Sequence, residues 1–420
     1  MASKRFRTTL WIVLGCLAVA VLVLPWLLID TVGGASERSP SDIAQLSKPT
    51  AEFLARQLHG LDPARRMDHH AHVAGLGAGG TGCEVNPRSQ SFWHPLERLK
   101  FAVYLSASGV KDTTAADSQF VARLLDLVRH HPLPGRLAIL AFDHRYRPDG
   151  TRDDGHSEFH VPNDYVLGLA RAHPDRFVAV GSVHPFRKDA LAELDRIADR
   201  GVRMIKWLPN AMGIDPAAPR LDPFYDKLRQ RKLILLTHTG LELAVEAEAD
   251  QAFGNPLRLR RPLSRGVQVI AAHSASLGDD EDLDAAPGPD GLRPHLPSHE
   301  LFVRLMAEPK WKGLLFGEIS AATLFKRADG PLRALLGRPD LHDRLVDGSD
   351  YPLPAVNLLI QLRQLRHLGY LQDADLEPLR ELYDVNPLLF DLALKRALQH
   401  PVSGQGFAPS VFHAHPDLRL

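Results

Sequence analysis

The stretch 67–73 reads MDHHAHV, with His70 and His72 two positions apart. Alternate residues of a strand share a face, so a strand here would aim both imidazoles at one point. Single histidines recur far downstream, His238 in LLTHTG and His273 in VIAAHSA, and an aspartate, Asp350, follows in DGSDYP. Two imidazoles from one strand, a third from a distant strand and a carboxylate form a nitrogen–oxygen donor set suited to Zn²⁺ or Fe²⁺. Each piece alone is ordinary. A lone histidine at a strand end is more often structural than a ligand, an HxH pair arises by chance, and GSD can cap a helix. Their shared position, each at the end of an apolar run, is what points to a site.

Those runs define the elements that must do the positioning. Short segments rich in Val, Ile, Leu and Phe predict strands over 67–73, 137–143, 177–183, 202–208, 233–238, 267–273, 313–320 and 344–350. Helical patterns fall between them at 164–173, 190–200, 223–230, 299–307 and 331–336. Strand alternating with helix eight times argues for a closed parallel (β/α)₈ TIM barrel, with a doubly wound open sheet as the alternative. Further helices over 355–398 would flank the barrel. Two insertions, the Gly-rich 74–95 and the acidic, Pro-rich 274–297, would sit on the rim where such barrels build their pockets.

Composition narrows the function. The 420 residues are 45% hydrophobic and 24% charged, which suits a globular chain with a substantial core. Lys+Arg and Asp+Glu both total 50, so no overall field favours nucleic acid. The two cysteines, Cys16 and Cys83, provide neither a cysteine zinc site nor a disulfide framework. Lys4, Arg5 and Arg7 precede an apolar run over 10–29, close to the ~20 residues that span a bilayer. The basic flank would leave the N-terminus in the cytoplasm and the barrel outside it, in the periplasm of a Gram-negative cell. GGAS at 33–36 offers a cleavable signal peptide as the alternative. The expected organisation is therefore a transmembrane anchor over 1–30, a linker and lead-in helix over 31–66, the barrel with its C-terminal helices over 67–400, and a tail over 401–420.

In this order and spacing, DHHAHV, THTG, AAHSA and GSDYP resemble the amidohydrolase superfamily of metal-dependent TIM-barrel enzymes. Closer still is the amidohydrolase-related branch that includes aminocarboxymuconate semialdehyde decarboxylase and pyrone-dicarboxylate lactonase. GVRMIKWLPN matches that branch's GxK segment on strand four, and Asn386-Pro387 matches its NP segment after strand eight. The resemblance spans 67–391 and is specific for the metal site, not for the substrate. It implies that His70, His72 and Asp350 bind a metal, that His238 is a further ligand, and that His273 lies near the metal's water or the substrate. Asp68 and His69 would support them. It implies one divalent ion, Zn²⁺ first, with Fe²⁺ or Mn²⁺ as alternatives. Lys206, which bridges two metals as a carbamate in binuclear relatives, would here contact substrate.

The chemistry expected of such a site is hydrolysis of an amide, lactone or ester by a metal-activated water, with Asp350 and His273 catalytic. Non-oxidative decarboxylation is the alternative; it requires a cation to seat a carboxylate, from among Lys206, Arg88, Arg145 and Arg187. A catalytically inactive, membrane-tethered binding protein is a third reading. His184 at the end of strand three and Glu318 near the end of strand seven are candidate substrate contacts. The Asp143-His144 pair is a candidate rim element. The expected partners are a small-molecule substrate and, through the N-terminal helix, a membrane; no oligomeric state is legible.

Overall fold

The computed structural model describes residues 11, 29–34, 38–245 and 247–418. Eight strands overlap the eight predicted ones: β1 Met67–His72, β2 Arg136–Leu140, β3 Phe177–Val180, β4 Met204–Trp207, β5 Ile234–His238, β6 Val269–Ala272, β7 Leu315–Glu318 and β8 Leu345–Val346. Neighbours pair in parallel from β1 to β3 and from β4 to β8. A bridge between Gly181 and Ile205 joins β3 to β4, and one between Ala71 and Tyr351 joins β1 to the chain leaving β8. The ring closes into a barrel, so the open-sheet alternative is excluded.

The interior follows from alternation along each strand. Ala138 and Leu140, Ile234 and Leu236, Ile270 and Ala272, with Met204, Phe316 and Val346, form the apolar filling. Continuing the same phase by two residues brings Lys206, His238 and Glu318 into the layer above it. Leu418, from the last residues of the chain, joins this filling. The chain before the barrel is also tied down: the helix Lys48–Leu58 is capped by Ser47, whose hydroxyl and N–H both donate to Glu381.

The predicted outer helices form as Asn163–Ala172, Ala190–Asp199, Asp222–Arg231, Ser298–Ala307 and Gly330–Leu336. Two more, Pro95–Ala107 and Ala116–Arg129, fill the span between β1 and β2. Leu362–His367, Leu376–Val385 and Pro387–Ala397 follow the barrel. Asn386 starts the last of these: its side chain accepts from the N–H groups of Leu388 and Leu389 and donates to the carbonyl of Leu127, with Pro387 at the first helical position.

The N-terminal expectation is corrected. No helix among the described residues is long and apolar enough to cross a membrane. The described end of the apolar run is the four-residue helix Ile29–Val32, where Asp30 accepts from the Ser106 hydroxyl; most of the run over 10–29 lies outside the described residues. A membrane anchor, a membrane partner and a placement of the barrel outside the cytoplasm have no support in the structure.

One buried ionic clamp secures the exit from β8. Lys395 Nζ reaches Asp391 at 2.6 Å, Asp347 at 3.1 Å and the Gly348 carbonyl at 2.6 Å, and Arg66 pairs with Asp347 at 3.0 Å. Removing one partner of a buried pair strands the other charge. Lys395→Met is therefore expected to lower the unfolding free energy by about 3–5 kcal/mol, measured by urea denaturation. A change within error would show that the clamp is dispensable.

Candidate metal centre

His70 and His72 leave β1 at the top of the filling. A register shift between Asp68 and Ala71 marks the point where the strand bends around the mouth. His70 Nε2 lies 3.4 Å and His72 Nε2 3.1 Å from Asp350 Oδ1. Donors about 2.1 Å from a tetrahedrally or octahedrally bound ion sit about 3.0–3.4 Å from one another. The donor atoms of these three residues all fall within 4.8 Å of each other. The tautomer of His70 supports the same fit. Its Nδ1 lies 3.1 Å from Glu318 Oε2, and burial, with Lys206 nearby, holds the ring well below the usual histidine range. A neutral ring donating through Nδ1 turns the Nε2 lone pair toward the Asp350 carboxylate, and two acceptors face each other at this spacing best around a cation.

His273 and Asp350 enter the site through unusual backbone. The φ values are 61° at His273 and 56° at Asp350, a region that non-glycine residues rarely occupy and that recurs at functional sites. On β6 the inward phase runs through Ile270 and Ala272, so His273 would face outward on a regular strand. The left-handed turn over 273–275 brings it back in. Its Nδ1 lies 2.7 Å from Ser320 Oγ, which donates to Glu318 Oε2 at 2.6 Å. The Ser320 hydroxyl, spent as a donor, accepts from His273 Nδ1–H, which leaves His273 Nε2 as an acceptor. Burial keeps this ring neutral as well. His238 stands outside the group of three. Its ring meets His273 edge-on at 5.0 Å, its Nδ1 lies 3.3 Å from Glu242 Oε2, and its Nε2 is buried without a hydrogen-bond partner. Burial lowers its pKa to about 4, so that nitrogen offers a free lone pair. A carboxylate behind an imidazole whose far nitrogen is open is the usual support for a metal-binding histidine. The residues present thus fit a divalent ion.

A second group with metal-ligand spacing, His70, His273 and Glu318, fits less well. Both Glu318 oxygens are engaged, by the Ser320 N–H and hydroxyl and by the His273 N–H at 3.2 Å. With its oxygens already accepting from these donors and from His70, Glu318 buttresses the rings and has none left to grip a cation.

Above the cluster lies a cavity of about 600 Å³ whose floor is His70, His72, Lys206, His238, His273 and Asp350. Its walls come from the chain after β1, from the helix Pro95–Ala107, from Phe142 and Phe159, and from the loop after β5. Lys206 Nζ sits 3.3 Å from His70 Nε2, and burial pulls its pKa down to about 8 against the attraction of Asp350 and Glu318.

A family model described as amidohydrolase matches residues 67–357. The chain belongs to the amidohydrolase family. None of the curated proteins matches it. Among solved structures, an uncharacterized TIM-barrel protein from Bordetella bronchiseptica is 15% identical with a TM-score of 0.47, covering 74% of this chain and 94% of its own. The 5-carboxyvanillate decarboxylase from Sphingomonas paucimobilis is 13% identical with a TM-score of 0.42, at 74% and 95% coverage. The 4-oxalomesaconate hydratase from Rhodopseudomonas palustris is 12% identical with a TM-score of 0.40, at 77% and 91% coverage.

In this amidohydrolase, several residues picked from the sequence fall elsewhere than expected. Glu318 does not line the cavity; it is fully buried behind His70 and His273. His184 also lies outside the lining. Its Nε2 meets the Met212 carbonyl at 2.9 Å and its Nδ1 accepts from the Phe186 N–H, so it holds backbone together. Arg145 pairs with Asp250 at 2.7 Å and Arg187 with Asp143 at 3.1 Å, both away from the cavity. Of the two insertions, the one after β1 lines the cavity and the acidic one after β6 does not. Glu242 and Ser320 were not anticipated. Glu242 follows His238 by four residues, a carboxylate spacing that offered the one sequence signal, whereas Ser320 carried none. Replacing a carboxylate that orients a ligand typically weakens metal binding about 10–100-fold. Glu318→Gln is expected to loosen zinc binding by that factor in a chelator competition, while Glu248→Gln, at the outer wall, leaves it unchanged.

Proposed function

We propose that this chain is a metal-dependent hydrolase that cleaves an amide, lactone or ester. In this reading it holds one divalent ion, zinc first and iron or manganese with the same donors, on His70, His72 and Asp350, with His238 as a further ligand. The observation that carries the reading is the placement of the Asp350 carboxylate. Oδ1 faces both imidazoles of β1, and Oδ2 lies 3.9 Å from His273 Nδ1 at the cavity floor. One oxygen would thus help hold the ion, and the other would remain for a proton.

Such an ion, when bound, lowers the pKa of water to about 7 and polarises a carbonyl. Asp350 Oδ2 takes a proton from the attacking water and returns it to the leaving oxygen or nitrogen. His273 Nε2, left as an acceptor by the Ser320 contact, orients that water by accepting its second hydrogen bond. The contact between His273 Nδ1 and Ser320 Oγ at 2.7 Å supports this water-orienting role. Lys206 Nζ donates to a substrate oxygen, and the apolar walls keep bulk water from the reacting carbon.

Decarboxylation remains as a second reading because two cations, Lys206 and Arg88, line the same cavity and would seat a carboxylate. Isotope-labelled water separates the two: hydrolysis places one labelled oxygen in the product, whereas decarboxylation releases CO₂ with none. For the hydrolase, Asp350→Asn is expected to cut turnover by about 10²–10⁴-fold while circular dichroism shows the barrel still folded; full activity in the variant would refute the role. Metal analysis is expected to give one equivalent. Two equivalents with a carbamate on Lys206 would replace the single-ion reading.

A further inference from the structure

Apolar side chains make up much of the cavity wall above the metal cluster, and others are exposed on the segment beside it. The helix Pro95–Ala107 presents Glu97, Lys100, Phe101, Tyr104 and Leu105 to the cavity, the spacing of one helical face. Phe142 and Phe159, which stack at 4.1 Å between centroids, also line the cavity, as do Leu208 and Val245. Just outside, between the lining residues Ser89 and Glu97, Phe92 is 76%, Trp93 85% and Leu96 81% exposed. Phe92 and Trp93 meet edge-on at 6.0 Å. Leu243 lines the cavity and is itself 49% exposed, and its carbonyl accepts from Lys100 Nζ at 3.0 Å. Large apolar side chains clustered on a surface mark a place where something apolar docks. Here the cluster lies on the segment between residues that line a cavity, whose size suits a ligand much larger than a single ring.

The charges along the outer wall do not favour an anion at that end. Glu97, Glu158 and Glu248 line it along with Lys100 and Arg88, and Lys100 is already tied to the rim backbone. The cation at the floor, Lys206, lies beside the metal cluster. An elongated molecule would therefore place its polar, reactive end at the floor and an uncharged apolar end against Phe101, Phe142 and Phe159.

We propose that the substrate carries a long or bulky uncharged apolar group, such as an alkyl or arylalkyl chain, which the Phe92–Trp93–Leu96 rim gathers and the Phe101–Phe159 walls bury. That the bond cleaved is an ester, lactone or amide rests on the hydrolase reading; the apolar end does not. Burying a methylene is worth about threefold to fourfold in affinity. The experiment uses the full chain and the neutral fluorophore N-phenyl-1-naphthylamine, displaced by n-alkanols from butanol to decanol, which requires neither metal nor turnover. Displacement is expected to strengthen about threefold to fourfold per methylene. The double variant Phe101→Ser, Phe159→Ser should flatten that slope. The exposed pair Phe92→Ser, Trp93→Ser, which sits outside the core, should weaken the longest alkanols several-fold. A flat alkanol series, or a slope that neither variant changes, overturns the proposal. A parallel series of p-nitrophenyl esters from acetate to decanoate separates the two readings. If the alkanol slope responds to the variants but no ester, lactone or amide is cleaved, the hydrolase reading fails and the apolar-substrate inference stands. If esters are cleaved with no dependence on chain length, the hydrolase reading stands and the inference fails.

Discussion

The site depends on the seam where the first and last strands of the barrel meet. The N–H of His69 donates to the Asp347 carbonyl at 2.9 Å, that of Asp350 to the His70 carbonyl at 2.7 Å, and that of His72 to the Tyr351 carbonyl at 2.9 Å. These bonds close the ring, and they also set the two imidazoles of β1 opposite the one carboxylate that follows β8. Gly348 makes the approach possible. A Cβ there would lie 2.7 Å from the His70 Cβ and 2.6 Å from Glu318 Oε1, so any side chain would push the strands and the metal donors apart. Asp68 adds a further tie, accepting from the N–H groups of Ser349 and His70. Closing the barrel and assembling the donors are a single structural event.

This seam is costly to build. Asp68, His69, His70, Asp347 and Asp350 are all buried, and buried polar groups destabilise unless they are partnered. The partners come from distant parts of the chain: Arg66 before β1, Glu318 from β7 and Lys395 from the last helix. Neutral imidazoles limit the cost, since burial, with Lys206 nearby, keeps His70, His238 and His273 uncharged. The same neutrality gives each ring a lone pair to offer. The left-handed backbone at Asp350 is tolerated because these bonds fix the chain around it, and that at 273–275 because Glu318 and Thr239 hold the His273 N–H, the Ser274 hydroxyl and the Ala275 N–H.

The barrel was legible because its strands are short apolar runs with clear phase, and the candidate donors drew notice because they sit where those runs stop. His70, His72 and Asp350 share a tight cluster, as their places at two strand ends implied. What alternation could not show was the second layer of contacts. Glu318 is in phase with the inward face of β7, which is why it read as a pocket residue, but the floor above it is already occupied by His70 and His273. His184 ends β3 and read the same way, yet two backbone groups claim both of its nitrogens. Arg145 and Arg187 read as rim cations because loop arginines look alike in sequence; only the fold reveals that aspartates hold them. Helix Pro95–Ala107 went unassigned because its apolar residues serve the cavity as much as the core, which weakens the amphipathic pattern.

Because of that division, floor and walls are under separate constraints. The floor comes from strand ends locked into the seam, where a shift of one donor would move the others. The walls come from the segment after β1, the helix that follows it and the loop after β5, none of which contributes to ring closure. Phe92, Trp93 and Leu96 can change without disturbing a single hydrogen bond of the seam, and Phe101 or Val245 can change at the cost of local packing alone. The reactive chemistry is therefore set by parts of the chain that tolerate little change, and the choice of molecule that reaches it by parts that tolerate much. The apolar rim lies in that second region, and its exposed side chains add no buried area to the core.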